Sequence, residues 1–292
     1  MTTRIFLLFV AILTCSNFVA AQTFFVPPLD TGVEGNGART FNLQLQNGTT
    51  SFFHGIETET SGYNGNFLGP TLLMQKGDSV VMNVTNTMPF ATTTHWHGMH
   101  LPAVMDGGPH QLIEQNATWV ATWKVKNRAS TYWYHPHPDM MTGMQVYMGL
   151  KGFLIVSDPQ EQALDLPRGE FDLPLCLHDA DFTQENQLVY TGSNMMGQFV
   201  NTQLVNGQPN YNYSAATKAY RLRLLNGSQS RILKLAFDDG TPIIVIGVDG
   251  GLLEAPEEYP YLLMGPGERY ELWADFSGKT VGNVITLKTL SY

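Results

Sequence analysis

Phe41-Asn42-Leu43-Gln44-Leu45-Gln46, followed by Asn47-Gly48, sets the fold class. Apolar and polar residues alternate with a period of two, which on a strand puts Phe41, Leu43 and Leu45 on one face for burial. Asn-Gly after the run predicts a hairpin turn, because both residues tolerate the positive φ that tight turns between strands require. A second run, Ser79-Val80-Val81-Met82-Asn83-Val84-Thr85-Asn86, is rich in β-branched residues and is entered through Lys76-Gly77-Asp78. Strands are also predicted at residues 118–126, 152–156, 220–225, 243–248, 270–276 and 284–290, nearly all separated by turn clusters. Residues 140–150 are the exception and fit a short helix. Regularly spaced strands with few helical stretches indicate an all-β sandwich or barrel.

The 292 residues are enough for two domains of roughly 150 residues each. A boundary is expected at Ser157-Asp158-Pro159, dividing a first domain, 22–158, from a second, 159–292. The halves echo each other. Gly69-Pro70-Thr71-Leu72-Leu73 leading into the strand that ends at Asn86 resembles Tyr220-Arg221-Leu222-Arg223-Leu224-Leu225-Asn226, again a strand ending at Asn. Two tandem β-sandwiches of similar size are the expectation. At 43% hydrophobic and 14% charged the chain is too apolar for disorder, and 28 Gly with 16 Pro argue against a helical bundle. A net charge of −9 argues against a sequence-independent hold on nucleic acid.

Residues 1–21 read as a signal peptide. Arg4 is followed by an apolar run and then by Val19-Ala20-Ala21-Gln22, the order of a cleavable secretory signal rather than of a membrane span; a retained N-terminal anchor is the alternative. Cleavage near Ala21 removes Cys15, leaves Cys176 alone and excludes an internal disulfide. No later stretch approaches 18 uninterrupted apolar residues, so an exported protein, periplasmic or extracellular, without a membrane span is expected.

The chemistry lies in the histidines. Of the 8, His95-Trp96-His97 and His135-Pro136-His137 form two His-X-His pairs about forty residues apart. On a strand, positions i and i+2 face the same side, roughly 6.6 Å apart at a 3.3 Å rise per residue. Each pair aims two imidazoles at one cavity, a spacing suited to two ions roughly 3.5–4 Å apart, each taking one imidazole. Imidazole favours copper, zinc, iron or nickel. Trp96 and Tyr132-Trp133-Tyr134 surround the pairs with aromatic residues, as at buried or half-buried strand ends. Core or surface histidines without metal are the alternative. His54, His100, His110 and His178 lack the pairing and are expected to be structural.

Four segments carry a family resemblance: His95-Trp96-His97-Gly98, Met105-Asp106-Gly107-Gly108-Pro109-His110, Thr131-Tyr132-Trp133-Tyr134-His135-Pro136-His137 and Gly149-Leu150-Lys151-Gly152-Phe153-Leu154-Ile155-Val156. They resemble the first domain of a multicopper oxidase. Val205-Asn206-Gly207, Tyr220 to Gly227, Asp249-Gly250-Gly251 and Gly265-Pro266-Gly267-Glu268-Arg269 are similar to the middle domain of the same family, of the three-domain bacterial laccase and cuprous oxidase type. The resemblance implies an all-β chain of two tandem cupredoxin-like Greek-key β-sandwich domains. It implies that His95 binds a type 2 copper and that His97, His135 and His137 bind the type 3 pair, half of the usual eight ligands. It places Asp106 beside the trinuclear cluster as a possible proton relay; an ordinary Asp-Gly turn is the alternative. The family often carries a further His and Gly after the second pair, where this chain reads Pro138-Asp139-Met140-Met141.

The family's type 1 site needs a cysteine thiolate from a His-Cys-His segment in a third domain, and no such segment occurs here. Cys176 lies in the apolar strand Leu173-Pro174-Leu175-Cys176-Leu177 and is expected to pack as a small hydrophobe. The expected activity by family is one-electron oxidation of phenols or of metal ions such as Cu(I), coupled to reduction of O2 to water. The 292-residue chain alone is expected to be inactive; a separate chain carrying the third domain would complete it, and a truncated gene product or a fragment of a longer enzyme are the alternatives. A non-catalytic exported copper-binding or scaffolding protein is the rival reading. Met140, Met141, Met144 and Met148 cluster on one helical face. They read either as a cuprous-ion docking patch or, the expectation here, as core filling. Asn-X-Ser/Thr sequons fall at Asn47, Asn83, Asn116, Asn212 and Asn226.

Overall fold

The computed structural model describes residues 25–53, 55–192 and 197–291. The expected signal peptide with Cys15, and His54, lie outside the described residues. The opening alternation forms the strand Ala38–Phe53, with Phe41, Leu43 and Leu45 buried and Asn42 and Gln44 exposed. Asn47-Gly48 is not a turn. The strand runs straight through it, pairing Asn47 with Ser61 and Gly48 with Thr60 of Ile56–Tyr63. Glycine serves a close approach there, since a Cβ would lie 2.6 Å from the Asn66 Oδ1. Ser79–Asn86 and Ile243–Val248 form as predicted, and the other predicted strands appear as Thr118–Lys124, Gly152–Ser157, Ala219–Asn226, Arg269–Asp275 and Leu287–Thr289. The predicted helix is Thr142–Tyr147.

Two sheets enclose a first core. One runs in the order Val33–Gly35, Ala38–Phe53, Ser79–Asn86, Thr118–Lys124; the other is Leu29–Asp30, Thr71–Gln75, Gly152–Ser157, Ser130–His135, His95–His97. Leu43, Leu45, Leu72, Val84, Trp96 and Tyr134 meet between them. A second core, with Leu175, Leu222, Leu224, Val245 and Leu272, lies under a seven-stranded sheet centred on Asp172–Ala180, Ala219–Asn226 and Arg269–Asp275. It is completed by a three-stranded sheet of Leu262–Met264, Leu233–Phe237 and Leu287–Thr289.

The echo heard in the sequence is a structural repeat. Ser79–Asn86 pairs parallel with Ala38–Phe53 and antiparallel with Thr118–Lys124. Ala219–Asn226 pairs parallel with Asp172–Ala180 and antiparallel with Arg269–Asp275. The terminal Asn does the same work in each. The Oδ1 of Asn86 accepts from the Met88 amide and that of Asn226 from the Ser228 amide, at 2.8 and 3.0 Å. Each Nδ2 donates to two carbonyls, Phe90 and Ile113 in one case and Arg231 and Met264 in the other. Both side chains are buried and fully engaged, so the sequon at Asn226 is closed to glycosylation in the folded chain.

Between the two cores sits an apolar cluster of Leu68, Trp133, Val146, Phe153, Cys176 and Leu225. Beside it a buried ion network of the second sandwich reaches the first through the Thr131 hydroxyl. Glu271 accepts from Thr131 Oγ1 at 2.7 Å, from Arg221 Nε at 2.9 Å and from Arg223 Nη1 at 2.9 Å. Arg221 also reaches Glu161 and Arg223 reaches Asp172. The backbone is thereby fixed at Thr131, four residues from His135.

Candidate metal centre

The two His-X-His segments are neighbouring antiparallel strands, with His95 opposite His135 and His97 opposite Trp133. His95–His97 is the edge strand of its sheet. That register brings ligand atoms of His95, His97 and His135 within 4.8 Å of one another. His137 stands at the exposed rim, its ring centroid 5.5 Å from that of His95 and 6.0 Å from that of His135. Its backbone amide donates to Thr93 Oγ1 at 2.7 Å. His100 and His110 are exposed, and His178 is buried against Phe67 in the other sandwich; none joins the group.

The rings are held from behind. His95 Nδ1 lies 2.9 Å from the Asp106 carbonyl and 3.2 Å from the Asp106 carboxylate. His135 Nδ1 lies 2.7 Å from the Pro136 carbonyl. A proton on Nδ1 satisfies each contact and leaves the Nε2 lone pair of both rings available, the arrangement expected of metal-ligating histidine. His97 turns the other way, its Nδ1 lying 3.2 Å from His135 Nε2. Trp133 packs against both at a 30° tilt, ring centroids 4.1 Å from His135 and 4.8 Å from His97. Burial lowers the His97 pKa to about 4, helped by the Arg269 guanidinium and the neighbouring imidazoles, and burial pushes His135 well below its usual range. Both are neutral at pH 7 and present lone pairs rather than positive charge.

Asp106 depends on its successor. Gly107 has φ +70°, and a Cβ on it would sit 1.7 Å from the Thr94 carbonyl oxygen. Only glycine allows the Asp106 loop to close on the strand just before His95. Trp96 Nε1 locks the same loop by donating to the Met105 carbonyl at 3.1 Å.

A contribution from the second sandwich escaped the sequence reading. The loop Gly265-Pro266-Gly267-Glu268-Arg269 reaches the histidines: a Cβ on Gly267 would lie 3.9 Å from His97 and 3.6 Å from Trp133. Arg269 is buried, with Nε donating to the Thr131 carbonyl at 3.2 Å and its terminal nitrogens to the Gly267 and Asp249 carbonyls. The motif was legible; its place 130 residues away from the second His pair was not.

The arrangement is three clustered imidazoles and a fourth at the rim, two of them, His95 and His135, backed by carbonyls. Comparison with known proteins places the chain in a family. The multicopper oxidase family profile matches residues 43–161. The multicopper oxidase mco of Staphylococcus aureus is 37% identical over 250 residues, 85% of this chain and 56% of that protein. A crystal structure of a multi-copper oxidase from Pediococcus acidilactici superposes with a TM-score of 0.88 at 32% identity, covering 92% of this chain and 58% of that one. The chain belongs to the multicopper oxidase family. Its tandem sandwiches are of the cupredoxin-like type the sequence led us to expect. The cell division protein FtsP of Escherichia coli is a further relative, 33% identical over 254 residues, 86% of this chain and 53% of that protein. The chain thus spans little more than half the length of the relatives it matches. Among the described residues no helix is long and apolar enough to cross a membrane.

Proposed function

We propose that this chain is a copper-binding, laccase-like multicopper oxidase polypeptide, its first cupredoxin-like domain at 22–158 and its second at 159–292. The observation that carries the reading is the convergence of His95, His97 and His135 within 4.8 Å, with His137 at the rim. The donor set fits copper, because imidazole suits it and at least two rings offer a lone pair while the opposite nitrogen is anchored to a carbonyl. In this reading His95 holds a type 2 ion, and His97, His135 and His137 hold the type 3 pair. Bound copper supplies the one-electron steps that couple oxidation of a phenol or a metal ion to reduction of O2 to water.

The chain's own residues do the positioning. Asp106 and Pro136 fix ring tautomers, Trp133 and the 265–269 loop exclude water from one side of His97 and His135, and the exposed rim at His137 admits a small molecule. The Asp106 carboxylate, partly exposed and 3.2 Å from His95, is placed to take up and hand on protons. Cys176 is buried in the apolar cluster between the cores and is not part of the imidazole group. Turnover therefore draws its thiolate copper and remaining imidazoles from a further domain, on this or another polypeptide, and the 292 residues alone bind copper without oxidising phenols. The export of the protein, periplasmic or extracellular, belongs to the same proposal.

The similarity to a protein named for cell division favours a second reading, a non-catalytic copper-binding or scaffolding role. Copper content after gel filtration, the visible spectrum and O2 uptake test these together. The leading reading expects retained copper, no intense blue band and no O2 uptake until a domain bearing the thiolate copper is supplied. Copper content identical in the wild type and in a His97→Ala/His135→Ala double variant overturns it. Copper-dependent binding with no O2 uptake, even with the supplementary domain of a relative present, favours the scaffold.

A further inference from the structure

A cavity of about 830 Å³ opens where the two sandwiches meet beside Leu29–Asp30. Thr49 and Thr50 of the strand Ala38–Phe53 and the loop 63–70 line it from the first sandwich, and Asn206, Gly207 and Gln208 from the second. Phe25 ties the two walls together, its amide donating to Gln208 Oε1 at 2.9 Å and its carbonyl accepting from Asn206 Nδ2 at 3.1 Å. The lining backbone is strained. Asn64, Leu68 and Asn206 all have positive φ, and at Leu68, with φ +61°, no short polar side chain eases the conformation. Leu68 is fixed there all the same, buried and with its carbonyl accepting from the Tyr63 amide at 2.8 Å. Strained residues persist where their surroundings over-determine them, and they gather at ligand clamps.

The lining is close to neutral. Among the described residues that bound the cavity, Asp30 is the one charged side chain, and its Oδ1 already accepts from the Gly32 amide at 2.8 Å. The other polar side chains are amides and hydroxyls, which donate and accept at once. Thr49 and Asn66 are exposed, and their side chains have no hydrogen-bond partner among the described residues. Phe25, Leu29 and Phe67 supply apolar surface, the first two of them exposed. A ligand with apolar ring faces and hydroxyl edges matches both kinds of group. An anion finds no basic side chain here, and a single phenol ring is too small for a cavity of drug-sized volume.

The same chemistry continues outside the cavity. The Asn64 side chain accepts from the Gln44 amide at 2.7 Å and donates to the Asn42 carbonyl at 2.8 Å, joining the cavity wall to the strand beside it. From that strand two cross-strand rows, Asn42–Asn83–Val120 and Gln44–Thr85–Thr118, cross the outer face of the first sandwich. Both rows are uncharged in a chain of net charge −9. Asn83 Nδ2 donates to Asn42 Oδ1 at 2.9 Å, and the Thr85 and Thr118 hydroxyls lie 2.8 Å apart. Two rows over three strands cover on the order of 200 Å², well short of the roughly 800 Å² per partner of a stable protein interface. We propose that the cavity binds a neutral, extended β-linked glucan chain, which runs out past Asn64 over these rows. An extended chain can follow an open sheet face, whereas a coiled α-linked one cannot. No residue of the cavity belongs to the histidine group, so the site does not rest on the copper reading.

The test is calorimetric titration of cellohexaose into the purified 292-residue chain, where saturable one-to-one binding is expected. Thr49→Val/Asn66→Ala changes two exposed side chains and leaves both cores intact. It should weaken binding at least about fivefold, the loss expected of two hydrogen bonds of modest net worth. The His97→Ala/His135→Ala variant should bind as wild type does. Maltohexaose, which coils, and trigalacturonate, which is charged, should both bind more weakly than cellohexaose. No saturable binding of cellohexaose, unchanged affinity in the folded Thr49→Val/Asn66→Ala variant, or equal binding of either control sugar overturns the proposal. A second readout needs no variant to fold: in 15N-labelled wild-type chain, cellohexaose should shift the side-chain amide resonances of Asn66 and Gln208 first. Shifts confined to other residues, or none, also overturn it.

Discussion

Glu271→Gln removes one charge from the network that joins the two sandwiches and changes almost nothing in shape. Glu271 is buried and receives Thr131, Arg221 and Arg223, the first from the opposite sandwich. Breaking a buried ion pair by removing one partner costs about 3–5 kcal/mol, because the other charge is left without compensation. Here Arg221 keeps Glu161 and Arg223 keeps Asp172, so the lower end applies, about 3 kcal/mol. The amide nitrogen of the new Gln must face an arginine donor or Thr131, which prevents the loss from shrinking much further. Urea unfolding followed by tryptophan fluorescence reads this directly. With a slope of about 3 kcal/mol per molar, the midpoint should fall by about 1 M. A fall below about 0.3 M, or a stabilised variant, would refute the claim that this network fastens the sandwiches.

The same carboxylate sets an acid limit. Burial raises the Glu271 pKa, but Arg223 and Arg221 outweigh it and hold it below the usual carboxylate value. Its stabilisation is therefore complete above the unfolded-state pKa of about 4.3 and is lost as pH falls through the lower folded value, so wild type should weaken below pH 4 while Glu271→Gln shows a flatter slope in the same urea series. Gly107→Ala forces a Cβ into the Thr94 carbonyl at a positive φ; we expect a loss of about 2 kcal/mol and weaker Cu(II) binding, measured by unfolding and by copper titration. The Cys176 thiol is pushed up by burial, so it should not react with a thiol-specific disulfide reagent until urea unfolds the chain, and Cys176→Ala should leave the copper-loaded spectrum unchanged.

The histidine pairs were legible because their spacing is local: period two on a strand puts both imidazoles on one face, and aromatic neighbours announce a buried strand end. The strand 79–86 was legible for the same reason. Asn47-Gly48 misled, since an Asn-Gly pair reads as a turn unless one knows that Asn66 packs against the glycine. The methionines misled in the opposite sense: an apolar residue is assigned to the core by composition, and only the fold shows Met140 in water. What sequence spacing does not carry is long-range contact. Gly267 against His97, Arg269 on Thr131 and Glu271 on Thr131 all join segments more than a hundred residues apart, and each depends on how the two sandwiches meet.

Electron paramagnetic resonance of the chain loaded with substoichiometric Cu(II) tests the central claim most directly. The histidine cluster predicts nitrogen superhyperfine coupling from at least two imidazoles, abolished in His97→Ala/His135→Ala and retained in His100→Ala/His110→Ala. An oxygen-only spectrum, or nitrogen coupling that survives loss of His97 and His135 and vanishes with His100 and His110, would contradict it.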